Sequence, residues 1–184
     1  MKTIAHCAGS FVDSARTASG VEPTTCPPMT SDTFDAKALH GADFWYIDLH
    51  GEEGWPRWYG DNGVVAILAE QVAALDLSHT VVFAANCFLG ECNSPMLQAL
   101  LEAKAKAVVA APGKNYSPTG GHLYGAALLG MWFRRMLMVR LPVKIALDKA
   151  KDCVRGEIVL NKIVGRKDLQ AANEDTLAFK VFTV

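Results

Sequence analysis

Short apolar runs bounded by Gly, Pro and polar clusters alternate along the chain with longer stretches in which apolar residues recur every three or four positions. The first kind predicts strands and the second amphipathic helices. Residues 2–7 predict a short first strand. Residues 9–33 read as loop, because Gly, Ser and Thr dominate and Pro23, Pro27 and Pro28 exclude a regular element. Phe44-Trp45-Tyr46-Ile47-Asp48-Leu49-His50 has strong strand propensity and stops at Gly51, with a Gly/Pro/Trp-rich loop following to Asn62. Val64, Ile67, Leu68, Val72 and Leu75 predict a helix over 63–75. Thr80 to Ala85 and Ala107 to Ala111 are continuous apolar runs of the kind found in buried parallel strands. Between them, Ser94 caps a predicted helix that has Pro95 at its first position and runs to about Ala105. Two more helices are expected, from Gly121 to Arg140 and from Pro142 to about Val154. Two β-like runs, Glu157 to Val164 and Leu177 to Val184, end the chain.

Strands alternating with helices indicate an α/β sandwich on a mostly parallel sheet. The 184 residues suit one domain, and 51% hydrophobic with 20% charged residues excludes a largely disordered chain. A net charge of −1 gives no footprint for nucleic acid or a membrane surface. His6 and Asp13 interrupt the N-terminus before a signal-peptide core can form, and Arg134 and Arg135 break the longest apolar run, Leu128 to Val139. Five cysteines, an odd number at irregular spacing, leave at least one unpaired and fit a reducing compartment. The expectation is a cytoplasmic chain.

In parallel sheets catalytic groups gather beyond the carboxyl ends of the strands. His50 and Cys87 stand at two such ends, thirty-seven residues apart, a spacing that fits one crossover between neighbouring strands. A cysteine nucleophile needs an exposed sulfur at a sharp turn, a base or cation nearby, and donors for a developing oxyanion. Cys87 follows a buried strand and precedes Gly90-Glu91. Gly51, lacking a side chain, lets its N–H approach a substrate carbonyl closely. Cys92 would make a Cys-x4-Cys pair with Cys87, but no matching His/Cys pair accompanies it, so no metal site is expected.

The ordered set Ile47-Asp48-Leu49-His50-Gly51, a helix to Leu77, then Val81-Val82-Phe83-Ala84-Ala85-Asn86-Cys87, resembles the core of the caspase-like (clan CD) cysteine peptidases. Met96 to Ala105 followed by Ala107 to Ala111 is similar to the corresponding segment of the CHAT branch, the separase-related caspase/haemoglobinase-like domains. The resemblance covers residues 43–154. It implies a three-layer sandwich with helices on both faces, residues 1–184 as one such domain, and a reduced or irregular part over 1–42. It also implies cysteine endopeptidase chemistry without a cofactor. Cys87 would attack the scissile carbonyl, His50 would protonate the leaving amine, and the N–H groups of Gly51 and Cys87 would hold the oxyanion. The local caspase signature is absent: Ala85 and Asn86 stand where Gln-Ala precedes the cysteine, and Leu89 where Gly follows it. Asp48 occupies a position that is small in these families.

Trp55 and Trp58, in the loop past His50, are candidates to line a substrate groove. By family analogy the segment containing Asn115 and Tyr116 forms a wall of the pocket for the residue before the cut. Asp48, Glu52, Glu53, Asp61 and Glu91 face only Arg57 and Lys114 as opposing charges, which favours a basic residue there. A protein or peptide substrate and a regulatory partner protein are the expected partners. The alternatives are a non-catalytic caspase-like interaction module, or another thiol hydrolase or amidotransferase on an α/β sheet. The bulky Phe88 and Leu89 fit poorly with the tight nucleophile elbow of the latter.

Overall fold

The central strands are almost wholly apolar, a composition that only a sheet covered on both faces can bury. The computed structural model, which describes residues 1–120 and 122–183, has that architecture. Its first half comprises β1 (Thr3–Ala8), α1 (Val12–Ser19), β2 (Thr24–Cys26), β3 (Phe44–Asp48), β4 (Arg57–Tyr59), β5 (Val65–Leu68) and α2 (Ala69–Ala73). The second half comprises β6 (Val81–Ala84), α3 (Pro95–Glu102), β7 (Ala107–Ala110), α4 (Gly125–Met138), α5 (Val143–Ile163), α6 (Lys167–Asp175) and β8 (Lys180–Phe182). The main sheet runs β2-β1-β3-β6-β7-β8, parallel throughout except for the antiparallel edge strand β8.

Strand alternation distributes the core between two faces. Phe44 and Tyr46 of β3, Val81 and Phe83 of β6, and Val109 of β7 pack under α1, α4 and α5. Trp45 and Ile47, Val82 and Ala84, and Val108 turn to the opposite face, with Trp58, Ile67, Val72 and the α3 residues Met96 and Leu100. The result is a three-layer α/β sandwich with helices on both faces of the sheet. Helix α4 lies so close to the sheet that a Cβ at Gly130 would come within 2.7 Å of the Tyr46 ring and 2.9 Å of Phe83. The α3 cap forms as the sequence predicts, with the Leu97 N–H donating to Ser94 Oγ at 3.3 Å.

Four expectations are corrected. Residues 9–33 are not all loop: they hold α1 and β2, and α1 buries Ser14, Ala15, Ala18 and Ser19, small residues whose helical face carries little hydrophobic signal. Residues 63–75 are not one helix. The β-branched Val65 and Ile67 pair antiparallel with β4, Trp58 opposite Ile67, and the Gln71 side chain accepts from the Leu68 N–H at 2.9 Å where α2 begins. The loop from Gly51 to Asn62 correspondingly contains β4. Glu157 to Val164 is not β-like but continues α5 through Ile163, because an established helix propagates through residues of weak helix propensity. Gly121, the expected start of a helix, and Val184, the expected end of the last strand, lie outside the described residues.

No helix among the described residues is long and apolar enough to cross a membrane.

Candidate active site

His50 lies two residues past the end of β3, and its backbone is fixed by reciprocal hydrogen bonds with Tyr59 of β4, N–H to O at 2.8 Å and O from N–H at 3.0 Å. The hairpin therefore holds the histidine at the carboxyl end of the sheet. Cys87 follows β6, the strand paired in parallel with β3. The two strand ends are stitched together, the Ala85 N–H donating to the Ile47 carbonyl at 2.8 Å and the Leu49 N–H to Asn86 Oδ1 at 3.3 Å. Gly51 then lies on the Cys87 backbone. A Cβ there would collide with the Cys87 carbonyl oxygen and stand 3.5 Å from the Cys87 nitrogen. Only glycine permits this approach, which places the His50-Gly51 and Cys87 segments side by side. Neither the Gly51 nor the Cys87 N–H donates a hydrogen bond among the described residues.

The His50 side chain is 47% exposed, with Nε2 3.8 Å from Asp61 Oδ1. Its ring meets Phe11 edge-on at 5.1 Å. Asp61 is itself held by Ser10, whose N–H and Oγ–H donate to the carboxylate at 2.8 and 2.7 Å. The turn after β1 thus orients the acid that faces His50. The sequence gives Asp61 as one of the cleft-loop acids that favour a basic residue, not as a partner of His50, and does not point to Ser10 or Phe11. Their separation along the chain leaves no local pattern to detect.

Cys87 is partly exposed, and its sulfur sits against the backbone of Asn115, accepting from the N–H at 3.3 Å and donating to the carbonyl at 3.5 Å. Asn115 Nδ2 donates to the Asn86 carbonyl at 2.8 Å, while Asn86 Nδ2 is buried with no hydrogen-bond partner among the described residues. The other thiols differ. Burial, with Asp48 adding to it, pushes Cys7 up to about 12, burial raises Cys26 as well, and Cys92 is exposed. Cys7 is therefore an unreactive core thiol.

The remaining candidates separate. Glu52 and Trp55 line an open cleft of about 650 Å³ beside His50, together with Arg57, Tyr59 and Asp61. Arg57 stacks over the Trp55 ring at 4.4 Å and donates from Nε to Tyr59 Oη at 2.8 Å. Trp58 does not line that cleft: it is 1% exposed and packs edge-on against Trp45 at 6.3 Å, since alternation along β4 turns it inward. Asp48 is likewise buried, at 1% exposure, accepting from Ser117 Oγ at 2.8 Å and Tyr46 Oη at 3.2 Å. Burial raises its pKa to about 7 against the lowering effect of those hydrogen bonds. Glu91 accepts from the Gly113 N–H at 3.1 Å, and Tyr116 is half exposed.

The fold is of the caspase-like α/β sandwich class. A solved structure that superposes on the chain is that of gingipain R, an Arg-specific cysteine proteinase, with a TM-score of 0.56 at 14% identity. The superposition covers 99% of this chain and 46% of gingipain R, so the chain spans less than half the length of that protein. No protein-family profile matches the sequence, and no curated protein matches it. Likeness at this identity establishes the fold.

Proposed function

We propose that the chain is a cysteine endopeptidase with Cys87 as nucleophile and His50 as its acid–base partner. The observation that carries this is the seat of Gly51 on the Cys87 backbone, which brings the His50 and Cys87 segments together at the carboxyl end of the sheet. The Cys87 thiolate adds to the scissile carbonyl carbon, and the oxyanion accepts from the Gly51 and Cys87 N–H groups. His50 gives a proton to the leaving amine, leaving a thioester on Cys87. Water then cleaves the thioester, releasing the carboxylic acid and restoring the thiol. One oxyanion donor contributes about 2.7–4 kcal/mol to barrier lowering in such sites. No step requires a cofactor.

The substrate is a protein or peptide, cut after a basic residue. Glu52 and Asp61 on the cleft and Glu91 beside the Cys87 loop support this, as does the Arg specificity in the name of the structural neighbour gingipain R. Within the fold class we assign the chain to the CHAT branch, on its motif order. We place it in the cytoplasm, in line with its five free cysteines, with a regulatory partner protein presenting the substrate. Fluorogenic peptides differing only at the residue before the cut test the specificity: Arg or Lys should exceed Asp, and dominant cleavage after Asp or small apolar residues would reject it.

A further inference from the structure

Segment 113–117 runs across the mouth of the Cys87 loop and is pinned at several points. At one end the Phe88 N–H donates to the Gly113 carbonyl at 2.6 Å and the Gly113 N–H to Glu91. At the other, the Tyr116 carbonyl accepts from the Ala126 N–H at 3.0 Å, at the start of α4. Between them two side chains fasten it to the sheet ends, Asn115 to the Asn86 carbonyl and Ser117 to the buried Asp48.

These pins hold the Asn115 carbonyl 3.5 Å from the Cys87 sulfur, where it accepts the thiol proton. The Asn115 N–H donates to the same sulfur at 3.3 Å, so the backbone of this one residue occupies both hydrogen-bonding directions of the Cys87 thiol. The same backbone also fills space from which an electrophilic carbon would reach the sulfur, an approach to about 3–3.5 Å.

We propose that segment 113–117 is an autoinhibitory strap over Cys87, latched by Ser117 on Asp48 and by Asn115 on Asn86. The strap must lift for the sulfur to meet an electrophile. This inference rests on Cys87 being the nucleophile, and it deepens that reading by naming how the site is kept at rest. Asp48, which the cleft does not expose, acts here as the fixed end of the latch.

The test measures iodoacetamide alkylation of the folded, full chain, with each cysteine followed by mass spectrometry. Exposed Cys92 serves as the internal rate standard and buried Cys7 and Cys26 as reporters of intact folding. Ser117→Ala and Asn115→Ala should each raise the Cys87-to-Cys92 rate ratio about tenfold, while Ser117→Thr, which keeps the hydroxyl, leaves it near the wild-type value. A ratio changed by less than about twofold in both alanine variants, with Cys7 and Cys26 still protected, overturns the strap. Should Ser117→Ala expose the core thiols, Asn115→Ala decides alone. Because alkylation needs no peptide cleavage, a raised ratio in a chain that cuts no peptide would sustain the strap and count against the peptidase. Cleavage with an unchanged ratio would do the reverse.

Discussion

At the residue scale, two buried titratable groups pull stability in opposite directions with pH. Burial raises the Asp48 pKa from its ordinary 3.8 to about 7, so between those values the folded chain keeps a proton that the unfolded chain has lost. Stability from this group falls as pH rises through that window and stays lower above it. His6 behaves oppositely. It accepts from Trp45 Nε1 at 2.9 Å, and burial lowers its pKa from 6.5 to about 4, so its contribution falls as pH drops from 6.5 to 4. Asp48→Asn should therefore raise the melting temperature at pH 8, by a stability increment on the order of 4 kcal/mol at most. The hydroxyls of Ser117 and Tyr46 can rotate to serve the amide. Near pH 3.5 the gain should vanish, and it should shrink steadily between. Melting curves of both proteins across pH 3.5–8 check this; a gain independent of pH would show that Asp48 titrates alike in the folded and unfolded chains. Gly51 makes a second residue-scale claim. Gly51→Ala drives a methyl into the Cys87 carbonyl and should lower kcat/KM by at least about a hundredfold, as a displaced oxyanion donor does. Kinetics on a peptide substrate, with circular dichroism as the folding control, measure the loss.

At the scale of elements, closeness of packing decides what a substitution costs. Gly130→Ala in α4 meets the Tyr46 and Phe83 rings, and overpacking of that kind costs about 1–3 kcal/mol despite the better helix propensity of alanine. Urea denaturation should register it as a lower midpoint with unchanged slope, and a raised midpoint would mean that α4 has room to move off the sheet. The elements also show what the sequence makes legible. β6 and β7 are visible as continuous apolar runs because both their faces are buried, β3 is visible from its aromatic, β-branched strand propensity, and the α3 start is visible because Ser94-Pro95 is local chemistry. α1 is hidden because its buried face is Ala and Ser. The break at Leu68 is hidden because Val64, Ile67, Leu68 and Val72 satisfy a helical period equally well; what settles it is pairing with β4, a contact that local periodicity does not report. In the site, His50 and Cys87 are legible from strand ends, whereas Trp58 and Asp48 looked available to substrate until the strand registers turned both inward.

The whole molecule is a frame that carries two adjacent strand ends, with the β4–β5 hairpin buttressing one and segment 113–117 covering the other. If that frame is stable by itself, the site can be emptied of chemistry without loss of fold. Cys87→Ala and His50→Ala should each abolish peptide cleavage while leaving the far-UV spectrum and melting temperature nearly unchanged. Calorimetry and cleavage assays on the same preparations check both halves. The most direct test of the central claim is covalent labelling by a peptidyl electrophile carrying Arg next to the reactive group, with the modified residue mapped by mass spectrometry. The expected result, as the bound peptide displaces segment 113–117, is labelling at Cys87, strongly slowed in His50→Ala, with Cys92 untouched although it is the more exposed thiol. Labelling at Cys92 instead, or peptide cleavage that persists in Cys87→Ala, would contradict it.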